Sequence, residues 1–179
     1  MIILQALYFM LPAYFANMAP VFATKIFGSK LAWPIDFNKI YKGKSILGAN
    51  KTWRGLIAGI LIGILTIYLQ RYLLKLGFFK AISILDYNQI NLILYGFLFG
   101  FGVILGDAVK SLFKRRINLK PGDKWFPWDQ LDFLGALILI LFVYIPAWPI
   151  ILIIIIISPL LPLITNWLGY KLKIKKVAW

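Results

Sequence analysis

The sequence predicts an all-α polytopic membrane protein with about five transmembrane helices and two basic cytoplasmic loops. Three observations predict it. The 179 residues are 61% hydrophobic with a mean hydropathy of +0.83, well above soluble domains, in which roughly half the residues are apolar. Predominantly apolar runs near the roughly 20 residues needed to cross a bilayer recur along the chain. The twenty Lys and Arg gather in the stretches between those runs.

The first run, residues 1–24, has no positive charge before Lys25. It lacks the basic start of a cleavable signal peptide and is expected to persist as a helix with its N-terminus outside. Asn17 is polar at apparent membrane depth, where an interhelical hydrogen bond is expected. The second run, 55–74, places Gly55, Gly59 and Gly63 on one face, and the third, 90–109, does the same with Gly96 and Gly100. Small residues at this spacing let helix backbones approach closely. The fourth run, 131–145, is short and is parted from the fifth, 147–168, only by Pro146, Trp148 and Pro149. A tight hairpin and a partly re-entrant arrangement both remain open there. Without a repeat or low-complexity linker, residues 1–179 read as one domain.

Cytoplasmic loops retain Lys and Arg. Seven lie between the first two runs, six between the third and fourth, and four in the tail, which includes Lys171, Lys173, Lys175 and Lys176. The opposite side holds only Arg71, Lys75 and Lys80. Both long loops and the C-terminus are therefore expected in the cytoplasm. The net charge of +14 is accounted for by this orientation and by anionic lipid, so no nucleic-acid partner is expected. With no Cys and no His, the chain has no disulfide, lacks the usual zinc ligands and has no imidazole for proton transfer. Any metal must be a hard, oxygen-bound cation.

Four of the six acidic residues, Asp107, Asp123, Asp129 and Asp132, lie within 106–132, together with six of the basic ones. If the third helix continues past its apolar run, Asp107, Lys110, Ser111 and Lys114 share one face. Asp129 and Asp132 stand one turn apart where the fourth helix begins. Capping explains one of them, but a carboxylate pushed toward hydrocarbon costs about 2.5–3.5 kcal/mol against about 1 kcal/mol for a cap. Asp107, Asp129 and Asp132 together could hold one or two Mg²⁺ ions with positions open to phosphate. In the first loop, Asn50, Lys51, Thr52, Trp53, Arg54 and Gly55 lead into a helix N-terminus, where anions bind favourably. The spacing is not that of a P-loop.

These residues carry a resemblance. The Asn50–Gly55 segment, Gly106 and Asp107 with Lys110 and Ser111, then Lys114, Arg115 and Arg116, Pro121 and Gly122, and Asp129 through Phe133 are similar to the archaeal CDP-archaeol synthase family. Asn17 and Pro20 resemble that family's first helix. More distantly, the chain resembles the phosphatidate cytidylyltransferases, although Gln130 replaces their arginine and their Pro-Gly-His-Gly-Gly segment is absent. The resemblance implies cytidylyl transfer from CTP to 2,3-bis-O-geranylgeranylglycerol 1-phosphate, an unsaturated isoprenoid ether lipid phosphate, with release of pyrophosphate. Asp107, Lys110, Lys114, Asp129 and Asp132 would be catalytic, with Mg²⁺ on the three carboxylates. Asn50, Lys51, Thr52, Arg54, Ser111 and Arg115 would bind substrate. A small transporter using the carboxylates as ion ligands is the alternative, but no acid sits mid-membrane in the second or fifth run. A noncatalytic scaffold would leave the acidic clustering without a reason.

Overall fold

The computed structural model describes residues 1–120 and 123–171. Three helices are long and apolar enough to cross a membrane among the described residues: α1 (Ile2–Phe27), α2 (Trp53–Leu73) and, after a short α3 (Gly77–Ile82), α4 (Leu92–Arg116). The apolar runs fix these three within a few residues. α4 differs most, continuing seven residues beyond its apolar run so that its last turns carry Asp107 through Arg116. The helix α5 (Phe133–Leu141) has nine residues, about 14 Å long against a hydrocarbon core of about 30 Å. The fifth run is two helices, α6 (Trp148–Ile157) and α7 (Leu160–Lys171). The fourth run therefore does not cross as one straight helix; α5 and α6 are shorter pieces packed on α4 and α1, and α7 follows α6. Pro121, Gly122, Lys173, Lys175 and Lys176, singled out from the sequence, lie outside the described residues.

α4 is the axis of the bundle, packed against α1, α2 and α5. Its glycines explain why. A Cβ on Gly63 would lie 2.5 Å from Gly96 O, and one on Gly100 would lie 2.6 Å from Gly59 O. These are backbone clashes, so the α2–α4 seam requires glycine. A second seam faces α5, where a Cβ on Gly102 would lie 2.6 Å from Ala136 Cα and Gly135 is pressed against Gly102 and Gly106. The first seam follows from the glycine spacing in the sequence; the second, on the other side of the same helix, brings the start of α5 beside Asp107.

Phe9, Met10, Ala13 and Ala16 of α1 meet Phe99 and Val103 of α4, Ile140 of α5 and Ile154 of α6 in the core. Phe9 and Phe99 meet edge to face at 5.3 Å, a preferred aromatic geometry. Polar links within the bundle come from residues other than Asn17, which is half-buried. Tyr14 and Ser158 share a 2.6 Å hydrogen bond, and Gln70 donates to Tyr8 O at 2.6 Å.

The loop before α2 holds a two-stranded hairpin, β1 (Ile40–Tyr41) and β2 (Lys44–Ser45), which the sequence reading did not include. It is fastened to the end of α4. Lys44 Nζ donates to Arg116 O, and Arg116 donates to Tyr41 O and Ser45 O, each at 2.8 Å. The unpaired carbonyls of a helix C-terminus attract cations, so these residues join the two basic loops.

Candidate active site

The site forms where the start of α2, the end of α4 and the segment before α5 converge. Thr52 is the N-cap of α2 and accepts from Gly55 N at 3.2 Å, so its hydroxyl fixes the helix start and with it the position of Lys51. Asn50 and Lys51 line a polar cavity of about 140 Å³ together with Asp107, Ser111, Arg115 and Asp129. Lys110 and Lys114, with Leu47 and Gly48, complete its wall.

Carboxylates and ammonium groups alternate in this cavity. Lys51 donates to Asp107 Oδ2. Lys110 Nζ lies 2.6 Å from Asp132 Oδ1, 3.3 Å from Asp107 Oδ1 and 3.9 Å from Asp129 Oδ1. Lys114 Nζ donates to both Asp129 oxygens, at 2.9 and 3.2 Å, and to Asp123 O. All three acids proposed from sequence are thus brought together. Among the described residues, however, no three carboxylates close on a common point in the manner of a formed metal site. The lysines interleave them.

The arrangement nonetheless fits a hard divalent cation. The donors are all carboxylate oxygens, the class that Mg²⁺ takes, and a positive charge already sits among them as the Lys110 ammonium. Capping does not explain Asp132: it stands at the N-cap position of α5 but makes no side-chain cap bond. Asp129 lies in a 3₁₀ turn, Trp128–Gln130, and accepts from Trp125 N at 2.7 Å. Arg115 also lines the cavity; its guanidinium donates to Leu119 O, and its buried Nε has no hydrogen-bond partner.

The structure gives Arg54 a different place from the one expected. Its guanidinium is buried and donates to Gly28 O at 2.9 Å, Lys30 O at 2.6 Å and Thr24 Oγ1 at 3.0 Å. It ties the end of α1 to α2, and Arg54 is absent from the cavity wall that Lys51 lines. Conversely, Asp36 was not singled out for the site, yet it shapes the cavity wall. It accepts from Leu47 N at 2.8 Å, Gly48 N at 3.2 Å and Asn38 N at 3.1 Å, and holds the turn in which Gly48 adopts φ 94°. Burial opposes the charged form of Asp36, but these N–H donors outweigh it and hold the carboxyl below its ordinary value.

Beside the polar cavity runs an apolar groove of about 550 Å³ between α4 and α5, lined by Leu105, Val109, Phe113, Leu134 and Ile138 with Trp125 and Trp128. Lys110 lines both spaces. The two indole rings lie 5.7 Å apart, and Trp suits a membrane interface because its ring is apolar with one polar edge.

A membrane-embedded helical bundle with a charged, phosphate-sized cavity opening beside an apolar groove defines an intramembrane enzyme. Comparison with known proteins specifies which. A family model described as CarS-like CDP-archaeol synthase matches residues 1–179, and the chain belongs to that family. CDP-archaeol synthases of Archaeoglobus fulgidus and Pyrococcus furiosus are each 37% identical to it, over 99% of this chain and 98% of theirs. A solved structure of an intramembrane enzyme for archaeal membrane lipid biosynthesis superposes with a TM-score of 0.71 at 30% identity, covering 92% of this chain and 94% of that one.

Proposed function

We propose that this protein transfers the cytidylyl group of CTP to 2,3-bis-O-geranylgeranylglycerol 1-phosphate at the cytoplasmic face of the membrane, releasing pyrophosphate. Family membership supports the reaction. The observation that carries its location is the position of Lys110, whose side chain borders both the polar cavity and the apolar groove. A nucleotide triphosphate matches the first space in charge, and isoprenoid chains match the second in polarity, so their phosphates meet at Lys110.

An oxygen of the lipid phosphate attacks the α-phosphorus of CTP. The new P–O bond forms as the bond to the oxygen bridging the α- and β-phosphorus breaks, and pyrophosphate carries away that electron pair. The nucleophile is already anionic near neutral pH, so no general base is required, in keeping with a chain that has no His. What must be overcome is repulsion between polyanions, and catalysis is mainly positioning and charge stabilisation. Lys51, Lys114 and Arg115 bind the triphosphate and the leaving pyrophosphate, with Asn50 and Ser111 as neutral partners on the same wall. Lys110 orients the acceptor phosphate at the mouth of the groove. Asp107, Asp129 and Asp132 would hold Mg²⁺, which supplies counter-charge to the phosphate oxygens when bound. The excess of Lys and Arg on one side supports placing the site in the cytoplasm, where CTP is available.

Purified protein in nanodiscs should form CDP-lipid from CTP when offered the geranylgeranyl ether lipid phosphate beside an ester-linked phosphatidate. Formation from the ether substrate, with stoichiometric pyrophosphate, is expected. Equal use of both lipids would remove the acceptor assignment, and no product from either would remove the reaction.

A further inference from the structure

The middle of the carboxylate cluster is held by a side chain of the protein itself. Lys110 Nζ contacts an oxygen of Asp132 at 2.6 Å and of Asp107 at 3.3 Å, and accompanies Asp129 at 3.9 Å. It also donates to Asp129 O at 3.1 Å. Lys51 occupies the other Asp107 oxygen, and Lys114 both Asp129 oxygens. Three ammonium groups thus balance three carboxylates, and the cluster is neutral before any ligand arrives. Asp132 is only 9% exposed; its Oδ1 makes no conventional hydrogen bond and has Lys110 as its counter-charge. The cavity these pairs enclose, about 140 Å³, is smaller than the about 300–1,000 Å³ of ordinary ligand pockets. The pairs must therefore part when a nucleotide enters.

We infer that Lys110 is a resident counter-ion that keeps divalent metal off the carboxylates until nucleotide phosphates arrive to take the ammonium. This rests on the metal-assisted reading proposed above. A dication entering alone would leave a partly buried site with two uncompensated charges beside three ammonium groups, which a medium of low polarity penalises. A metal arriving with a triphosphate brings net negative charge. The lysines can then exchange carboxylate for phosphate oxygens, since both accept charge-assisted hydrogen bonds. Lys110 has room for this movement because its flexible stem already borders the groove as well as the cavity. Metal and nucleotide consequently bind as mutually dependent ligands, each raising the affinity for the other.

Mn²⁺ binding to the full-length protein in acceptor-free nanodiscs, read by EPR and corrected for Mn²⁺ held by free CTP, tests this without turnover. Wild type should bind Mn²⁺ weakly alone and at least about tenfold more tightly with CTP, within the ordinary range of coupling between sites. Lys110→Met should bind Mn²⁺ alone at least about tenfold more tightly than wild type and lose most of the CTP enhancement. Lys110→Arg keeps the charge and should keep the exclusion. Wild type binding Mn²⁺ equally with and without CTP would overturn the inference while leaving metal-assisted transfer intact, and this comparison needs no variant. Unchanged metal affinity in a folded Lys110→Met protein, or an equal gain in Lys110→Arg, would also overturn it. No Mn²⁺ binding under any condition would remove the metal reading itself.

Discussion

Replacing Gly102 by Ala, an uncharged change at a residue that lines neither the cavity nor the groove, tests how strictly the α4–α5 seam sets the active-site geometry. The added Cβ would lie 2.6 Å from Ala136 Cα and 2.9 Å from Ala136 N, where ordinary contact begins at 3.4 Å. Both obstructing atoms are backbone, so relief requires the helices to separate by roughly 1 Å, at an overpacking cost of about 1–3 kcal/mol. α5 begins directly after Asp132, whose carboxylate meets Lys110 of α4 at 2.6 Å. A misplacement of about 1 Å at a reacting centre can cost about 100-fold in rate. We expect kcat for CDP-lipid formation to fall between about 10- and 100-fold. Half-saturation by CTP should change less, because Lys51, Ser111 and Arg115 lie on the α2 and α4 side of the cavity. Gly77→Ala, whose Cβ meets nothing within 4 Å, is the control. A fully active Gly102→Ala protein with unchanged Tm would refute the claim that this close approach positions Asp132.

Lys51→Gln should raise half-saturation by CTP or lower turnover by about 10- to 100-fold, the equivalent of a lost charge-assisted hydrogen bond; Arg54→Met should lower Tm with half-saturation retained, and the reverse pattern would exchange their roles. Asp36→Asn should weaken CTP binding because the carboxylate uses both oxygens, one for Asn38 N and the other for Leu47 N and Gly48 N, whereas the amide offers only one acceptor and sets an NH2 against the other side of the turn, a loss of up to about 1–3 kcal/mol. Since the folded carboxyl titrates below its ordinary value, the stability gap between wild type and Asp36→Asn should be full above about pH 5 and close as pH falls through and below the ordinary value of about 3.9. A gap that widens in acid would contradict the assignment. Cysteines placed at Ser45 or Asn118 should react with an impermeant reagent only from the cytoplasmic side; labelling of either from outside would reverse the orientation.

The three long helices were legible because each is a continuous apolar run, and the alignment of Asp107, Lys110, Ser111 and Lys114 followed from helical spacing alone. The role of Asp36 was not, since its partners Leu47 and Gly48 lie eleven and twelve residues away and no periodicity connects them. Arg54 stands in the same motif as Lys51, yet it lies in the first turn of α2 while Lys51 precedes the N-cap, and its side chain turns toward the end of α1 and away from the cavity. The second glycine seam left a signal, as Gly102 and Gly106 repeat the four-residue spacing found at Gly96 and Gly100. Its partner Gly135 lies in a segment whose hydrophobicity suggests a longer helix than α5. The ion pairs among the three acids depend on which faces of α4 and α5 meet, which is a tertiary property.

In the proposed reaction the carboxylates act as charge, and Asp132→Asn isolates that role. The substitution preserves shape, and no cap bond is lost because Asp132 makes none. Lipid-phosphate-dependent release of pyrophosphate from CTP should fall by at least about 100-fold, as expected when charge stabilisation of a transition state is removed, with Tm close to that of wild type. Turnover within about twofold of wild type, well below the about 100-fold loss expected for such a group, would contradict the central claim.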